Sequence, residues 1–232
     1  MRYLILLLTL LFASPVWGAA PTFDASTATA YIEGTTQSTN HTTSGSNRIL
    51  CACISLFSTT ETFSAVTYNG VAMTLVDSQS SAILTTYLYR LVAPASGLNA
   101  FSFTKSGSAA IRSNLTSYTD VDQTTPLGTA AKATSDDTTA TVNVSSATGE
   151  TVIDCVTIRE DTLQSTPLIG AGQTQRGTFE TDLVWHGKMS EEAGAGTVTM
   201  SWTWTNAQQW ATVAVPLKPV STRRAIAPII FQ

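Results

Sequence analysis

The chain has few of the side chains on which enzymes and nucleic-acid-binding proteins depend. It has two histidines in 232 residues, and it lacks the G-x-S-x-G sequence that places a nucleophilic serine on a sharp turn in one class of hydrolases. Asp, Glu, Lys and Arg make up 12% of the chain, against a usual share of about 25%. The net charge is −4, whereas nucleic-acid binding requires clustered lysine and arginine. The composition predicts a non-catalytic protein that does not bind nucleic acid.

Helical periodicity is absent as well. No stretch keeps apolar residues at positions i, i+3, i+4 and i+7 for three turns. Short apolar runs recur instead at a spacing of roughly 10 to 15 residues, with Gly, Asn, Asp and Pro between them. Abundant Ser and Thr predict strands with a hydroxyl-rich, weakly charged exterior. About a dozen strands cannot form one flat sheet, so the sequence predicts an all-β fold, a two-sheet antiparallel β-sandwich.

Two stretches predict particular elements of this fold. Residues 47–57 are mostly apolar on both faces, which indicates a central buried strand. Asn69-Gly70 lies between two short runs, residues 63–68 and 71–76. Asn-Gly supplies the positive φ angles that a type I′ hairpin turn needs, so turn chemistry explains this stretch without a ligand.

One apolar run stands apart from the strand pattern. Arg2 is followed by apolar residues 3–12 and then by small residues, which is the layout of a secretory signal peptide. No later run is long enough to cross a membrane. The mature protein is therefore expected to be secreted, periplasmic or at the cell surface, with no membrane span. The segments that we expect are a signal peptide at residues 1–20, a β-sandwich domain at residues 21–219 and a C-terminal tail at residues 220–232.

The spacing of the three cysteines leaves two interpretations open. Cys51 and Cys53 are two residues apart in a predicted strand, so their side chains point to the same face and are poorly placed to bridge each other. One interpretation, which the sequence favours, is three buried free thiols. The other is a disulfide between Cys155 and one of the pair, such as Cys53, formed in an oxidising compartment. A zinc site is not indicated, because the paired cysteine spacing of such sites is missing.

The aromatic residues offer both a core and a candidate ligand site. Trp202 and Trp204 share one face of a predicted strand with apolar neighbours. Such a stripe is more typical of the core side of a sheet than of a sugar-binding platform. A Trp-His pair in the polar stretch at residues 181–188 is the better candidate for an exposed ring that stacks on a sugar. The candidate ligand-binding residues are Trp185, His186, Tyr87 and Tyr89.

Two acidic residues at the end of a predicted strand suggest calcium. Asp120 and Asp122 lie in a loop-like stretch, and Ca²⁺ takes oxygen ligands that often come from such loops. The alternative is an Asx turn, in which an aspartate closes its own backbone. Calcium is the one cofactor that the sequence suggests. His41 lies in a polar stretch, and we expect it at the surface.

Several segments together resemble a known family. They are GSNRIL (45–50), VTYNGVAMT (66–74), YLYRLVAPASG (87–97), SYTDVDQTTPLG (117–128), GTVTMSW (196–202) and WATVAVPLKP (210–219). The chain resembles, over residues 23–219, a widespread and poorly characterised family of exported bacterial and phage-associated domains. The resemblance implies a jelly-roll of the laminin-G or concanavalin-like kind, and it implies no catalytic residues.

These patterns predict an exported, non-catalytic β-sandwich module that binds a glycan or a cell-surface partner. The alternative is a structural subunit of an envelope, an extracellular filament or a phage particle. The C-terminal tail of the chain contains Arg223 and Arg224, followed by four apolar residues. It is either a frayed terminus or a strand that pairs with a neighbouring copy. A hydrolase is less favoured, because the adjacent acidic pairs at residues 160–161 and 191–192 lie in turn-like stretches.

Overall fold

The structure of the protein is a computed structural model that describes residues 18–29, 31–159, 166–178 and 185–221. These residues contain fifteen strands and no helix, and hence no helix that could span a membrane. Most of the predicted signal peptide (1–17) and of the predicted tail (222–232) lies outside the described residues. The strands are β1 (Thr22–Ala28), β2 (Thr36–Thr43), β3 (Ile49–Leu56), β4 (Phe63–Tyr68), β5 (Val71–Ala72), β6 (Thr74–Ser80), β7 (Thr85–Val92), β8 (Gly97–Lys105), β9 (Ile111–Thr119), β10 (Ala131–Ser145), β11 (Thr151–Arg159), β12 (Leu168–Ile169), β13 (Thr174–Thr178), β14 (Trp185–Ala193) and β15 (Thr197–Leu217).

The described strands form three antiparallel sheets. The central sheet has the order β1-β9-β3-β7-β6, and the small sheet has the order β2-β8-β4-β5. The large sheet has the order β10-β15-β11-β14-β13, with β12 paired to β15. The predicted all-β antiparallel β-sandwich is confirmed. It has a third sheet beyond the two that we expected, and fifteen described strands where about a dozen were predicted.

The central sheet is covered on both faces. On one face, Cys53 of β3 shares a buried cluster with Val213 of the large sheet. On the other face, Ile54 of β3 shares a second cluster with Phe101 of the small sheet. Every residue of β3 is buried, which confirms the predicted central strand. Burying one large aliphatic or aromatic side chain contributes about 1.5–3 kcal/mol, so the two clusters supply most of the driving force that stacks the layers.

A long antiparallel pair of strands, β10 and β15, dominates the large sheet. Residues 131–137 pair with residues 208–214, and after a bulge residues 139–145 pair with residues 197–203. β15 is one continuous strand over residues 197–217, and β10 pairs with it on both sides of the bulge. We call residues 139–145 and 197–203 the distal ribbon.

The distal ribbon folds back over the outer face of its own sheet. Met200 of the ribbon shares a buried cluster with Val152 of β11 and with Ala214, a later residue of its own strand. Extended residues rise about 3.3 Å each, so Met200 and Ala214 can approach each other only if the strand bends back. Trp202 of the ribbon and Trp204, the residue just after it, are buried in this way, which confirms their predicted place in the core.

The central and large sheets are joined covalently. Cys53 and Cys155 form a disulfide, with 102 residues of sequence separation, and Cys51 is a buried free thiol. The interpretation of three free thiols is therefore wrong, because β3 and β11 bring Cys53 and Cys155 together in the cluster between the two sheets. Burial raises the pKa of Cys51 to about 12, so this thiol stays protonated and unreactive at neutral pH.

The predicted hairpin turn is confirmed. Asn69 and Gly70 connect β4 to β5, with φ angles of 50° and 72°. Tyr68 lies opposite Val71 across the turn. Both turn residues adopt the left-handed conformation that a type I′ turn requires, and Asn and Gly tolerate it best.

Candidate functional site

The Trp185–His186 pair is not exposed. Trp185 begins β14 and is 2% exposed, with the guanidinium carbon of Arg112 5.4 Å from its ring centroid. His186 is 8% exposed. The prediction of an exposed ring at this position is wrong, because the ring packs against Arg112 of β9 in the central sheet. The first six residues of β14 are all buried.

The two candidate tyrosines, Tyr87 and Tyr89, lie on the other side of the central sheet, between it and the small sheet. Their ring centroids are 5.2 Å and 6.1 Å from the ring of Phe63. Burial raises the pKa of Tyr89 to about 12. The structure therefore does not bring the tyrosines together with Trp185 and His186, and the predicted four-residue ligand site does not form.

Asp120 and Asp122 follow β9, where the sequence suggested calcium. One carboxylate oxygen of Asp122 accepts hydrogen bonds from the backbone N–H groups of Thr124 and Thr125, both at 2.8 Å. The N–H groups of Thr125 and Thr124 lower the pKa of Asp122. This is the Asx turn that was the alternative to a calcium site. Within the described ranges, no group of three or more His, Cys, Asp or Glu could hold a metal ion.

A buried polar cluster lies under the distal ribbon, on the outer face of the large sheet. The carboxylate of Asp154 accepts hydrogen bonds from Trp202 Nε1 at 2.6 Å and from Ser190 N and Oγ at 2.7 and 2.8 Å. Gln173 donates to Ser190 Oγ at 2.7 Å and accepts from the backbone N–H of Ser201 at 2.8 Å. The cluster therefore ties the ribbon to β11 and β14.

Burial dominates the electrostatics of this cluster. It raises the pKa of Asp154 to about 6, although the hydrogen bonds from Trp202 and Ser190 favour the charged form. Lys188 of β14 is also fully buried, with its Nζ 5.9 Å from the centroid of the Trp202 ring. A carboxyl with a pKa near 6 can act as an acid or a base, but the donors that reach Asp154 come from the protein itself. The arrangement is that of a structural anchor.

We expect Trp202→Phe to lower the free energy of unfolding by about 1–3 kcal/mol. Phe keeps most of the buried ring but has no N–H, so Asp154 loses its shortest hydrogen bond. Urea unfolding followed by far-ultraviolet circular dichroism measures the change. Trp204→Phe is the matched control, because the indole N–H of Trp204 has no hydrogen-bond partner among the described residues. Equal losses in the two variants would contradict the role given to the Trp202 N–H.

A second buried polar cluster lies between β1, β2 and β9. His41 was expected at the surface but is 1% exposed. Its Nδ1 lies 2.9 Å from Thr27 Oγ1, and its Nε2 lies 3.1 Å from Ser117 Oγ. Burial lowers the pKa of His41 to about 4, although the charge of Asp24 opposes this shift. The expectation was wrong because β1 covers one side of the imidazole, which is neutral at pH 7.

The order of groups in this cluster differs from that of a catalytic triad. Ser117 donates its hydroxyl proton to the carboxylate of Asp24 at 2.8 Å, so His41 Nε2 must donate to Ser117 Oγ and Nδ1 must accept from Thr27. In a triad the aspartate orients the histidine, and the histidine takes the serine proton. Here the serine proton already belongs to the bond with Asp24, so the geometry supports structure rather than nucleophilic catalysis.

The outer side of the small sheet is an exposed face made of uncharged residues, which we call the small-sheet face. Alternate residues of its strands point away from the central sheet, while most of the residues between them are buried or partly buried against it. Strands lie about 4.8 Å apart, so the four strands form a platform roughly 15 Å wide. The outward positions are Thr36, Ser38, Asn40, Thr42, Ala65, Thr67, Ala72, Leu98, Ala100, Ser102 and Thr104.

The small-sheet face combines hydroxyl groups with apolar groups. The hydroxyls of Thr67 and Ser102 lie 2.8 Å apart in a hydrogen bond across β4 and β8. Leu98 is 67% exposed, and Ala65, Ala72 and Ala100 interrupt the hydroxyls. Such a face can donate and accept hydrogen bonds and can contact C–H groups, but it offers no charge to an ionic partner.

Comparison of the chain with known proteins identifies no relative. No protein-family model, curated protein or solved structure matches it. The resemblance to exported bacterial and phage-associated domains therefore stays an expectation from the sequence.

Proposed function

We propose that the protein is an exported, non-catalytic β-sandwich module that binds a neutral glycan on the small-sheet face. One observation carries the proposal: the outward positions of all four strands hold no ionisable side chain. Serine, threonine and asparagine side chains both donate and accept hydrogen bonds, as sugar hydroxyls do. The exposed Leu98 and the alanines match the C–H surface of a sugar ring. A charged ligand finds no complementary charge on this face.

Two further observations support parts of the proposal. The disulfide between Cys53 and Cys155 supports export, because disulfides persist in oxidising compartments. The groups best suited to acid–base chemistry, His41 and Asp154, are each 1% exposed and hydrogen-bonded within the protein. Their burial supports a non-catalytic role.

Affinity gel electrophoresis with neutral polysaccharides tests the proposal. We expect dextran, galactomannan or xyloglucan to retard the protein, and the anionic polysaccharide alginate to leave its mobility unchanged. Ala100→Glu places a charge at the centre of the small-sheet face without removing a hydrogen bond. We expect it to weaken binding at this face tenfold or more, which corresponds to about 1.4 kcal/mol. Ala28→Glu makes the same substitution at an exposed position of β1 and should bind as the unmodified protein does.

Several outcomes would contradict the proposal. If no neutral polysaccharide retards the protein, glycan binding is ruled out. If Ala100→Glu is retarded as strongly as the unmodified protein, the site lies elsewhere. Large homopolymers that form without glycan would favour the alternative of a structural subunit. Parallel gels with calcium and with a chelator test the predicted ion at Asp120 and Asp122.

A further inference from the structure

We infer that the protein carries a second glycan site on the outer face of the distal ribbon, and that it bridges two glycan chains. This inference depends on the proposed function, because it assigns the same class of ligand, a neutral polysaccharide, to a second surface. The two surfaces differ in their strands and lie on different layers, so each can be altered without the other.

The distal ribbon separates apolar and hydroxyl side chains by strict alternation. On β10 the outward residues are Thr139, Thr141, Asn143 and Ser145, and the residues opposite them on β15 are the Thr and Ser residues between positions 197 and 203. The residues between them, among them Val142 and Met200, are buried against the large sheet. The outward side chains form two parallel rows of uncharged groups. The rows are about 4.8 Å apart, and neighbouring groups within a row are about 7 Å apart.

Two observations indicate that this face is built for a ligand of the same chemistry. The hydroxyl of Thr199 donates to Asn143 Oδ1 across the two strands at 2.7 Å, which fixes both side chains before any ligand arrives. Leu168 of β12 lies opposite Thr203, and thus on the outer face, and is 67% exposed. The ribbon face therefore repeats the combination found on the small-sheet face, uncharged hydrogen-bonding groups beside one exposed leucine.

The two faces point away from each other. The small sheet covers one face of the central sheet, the large sheet covers the other, and the ribbon lies outside the large sheet. Stacked layers are about 10 Å apart, so roughly 30 Å separates the two faces. One chain of a polysaccharide can occupy each face at the same time. Two sites on opposite sides make a cross-linker, whose avidity for a long chain exceeds the affinity of either site.

Light scattering of a long neutral polysaccharide, the galactomannan or whichever one retards the protein most, tests the inference. We expect the unmodified protein to raise the scattered intensity by cross-linking the chains. Thr141→Glu places a charge on the ribbon face, and Ala100→Glu places one on the small-sheet face. Each variant should lose cross-linking while it still binds a short oligosaccharide of the same sugar, and the double variant should lose both. Thr74→Glu, an exposed threonine of β6, is the matched control and should cross-link normally.

The results distinguish the inference from the proposed function. Cross-linking by Thr141→Glu equal to that of the unmodified protein would overturn the second site and leave glycan binding on the small-sheet face intact. Complete loss of oligosaccharide binding in Ala100→Glu would also overturn it, because no site would then remain on the ribbon. A failure of the unmodified protein to bind any neutral sugar would overturn both. Thermal unfolding of each variant confirms that the fold is kept.

Discussion

Removal of the disulfide is expected to lower the free energy of unfolding by about 3–5 kcal/mol. The bond closes a loop with a sequence separation of 102 residues, and a loop of about 100 residues restricts the unfolded chain by up to about 4.7 kcal/mol. The double variant Cys53→Ala/Cys155→Ala tests this prediction, because it removes both cysteines of the disulfide and so leaves neither as a free thiol. Urea unfolding of the variant and of the unmodified protein gives the difference.

The third cysteine supplies the control for this experiment. Cys51 lies on the same face of β3 as Cys53 but takes no part in the bond. We expect Cys51→Ala to cost much less than the double variant, since it removes one small buried group and no covalent link. A thiol reagent should label Cys51 in the unmodified protein only after denaturation. A loss below 1 kcal/mol in the double variant would show that packing alone holds the two sheets together.

Two buried groups are expected to give the stability of the protein opposite dependences on pH. Asp154 has its pKa raised to about 6 from 3.8, so between about pH 4 and 6 the folded state holds a proton that the unfolded state has lost. The contribution of Asp154 to the free energy of unfolding therefore falls as pH rises through that window. His41 has its pKa lowered to about 4 from 6.5, so the unfolded state holds the extra proton. The contribution of His41 to the free energy of unfolding therefore rises with pH.

Each shift exceeds two pKa units, and one unit corresponds to about 1.4 kcal/mol, so each group contributes about 3 kcal/mol across the window. In the unmodified protein the two contributions nearly cancel. His41→Gln leaves Asp154 unopposed, and its stability should fall by about 3 kcal/mol between pH 4 and 6.5 relative to the unmodified protein. Asp154→Asn should show the reverse trend. Unfolding in urea at several pH values measures both.

The comparison of variants isolates the two groups from every other titration. A double variant, His41→Gln/Asp154→Asn, should again give a profile parallel to that of the unmodified protein. Parallel profiles for the unmodified protein and His41→Gln would contradict the neutral state of the buried imidazole. Parallel profiles for the unmodified protein and Asp154→Asn would contradict the raised pKa of the carboxyl.

The local sequence predicted those parts of the fold that depend on local chemistry. The apolar run that became β3 and the Asn69-Gly70 turn were both correct, because burial on two faces and positive φ angles each restrict the residues that fit. The bend that folds the distal ribbon over its own sheet left no such sign. The continuity of β15 across this bend depends on its pairing with β10, which lies about 60 residues away in sequence.

The candidate sites were harder to predict, because the exposure of a side chain depends on which sheet packs against its strand. The polar neighbours of Trp185 suggested an exposed ring, yet the ring packs against Arg112 of the central sheet. His41 occurs among polar residues as well, and it is covered by β1 through the contact of its ring with Thr27. The distal ribbon had a signal in its sequence, the alternation of polar and apolar residues, whereas β2 is polar at both alternating sets of positions. The sequence predicted a hydroxyl-rich exterior, but only the stacking of the sheets shows which alternate residues remain outside.

The strand order of the central sheet determines how much of the chain must be synthesised before that sheet can form. The first strand, β1, pairs with β9, so Thr22 cannot pair until Thr119 has been synthesised. Pairings between segments so far apart in sequence make β-rich domains fold slowly, in milliseconds to seconds. In a newly synthesised chain of this topology, β1 stays extended and unpaired until more than half of the chain has emerged. An extended chain of that kind is the form in which a polypeptide can be threaded through a narrow translocation channel.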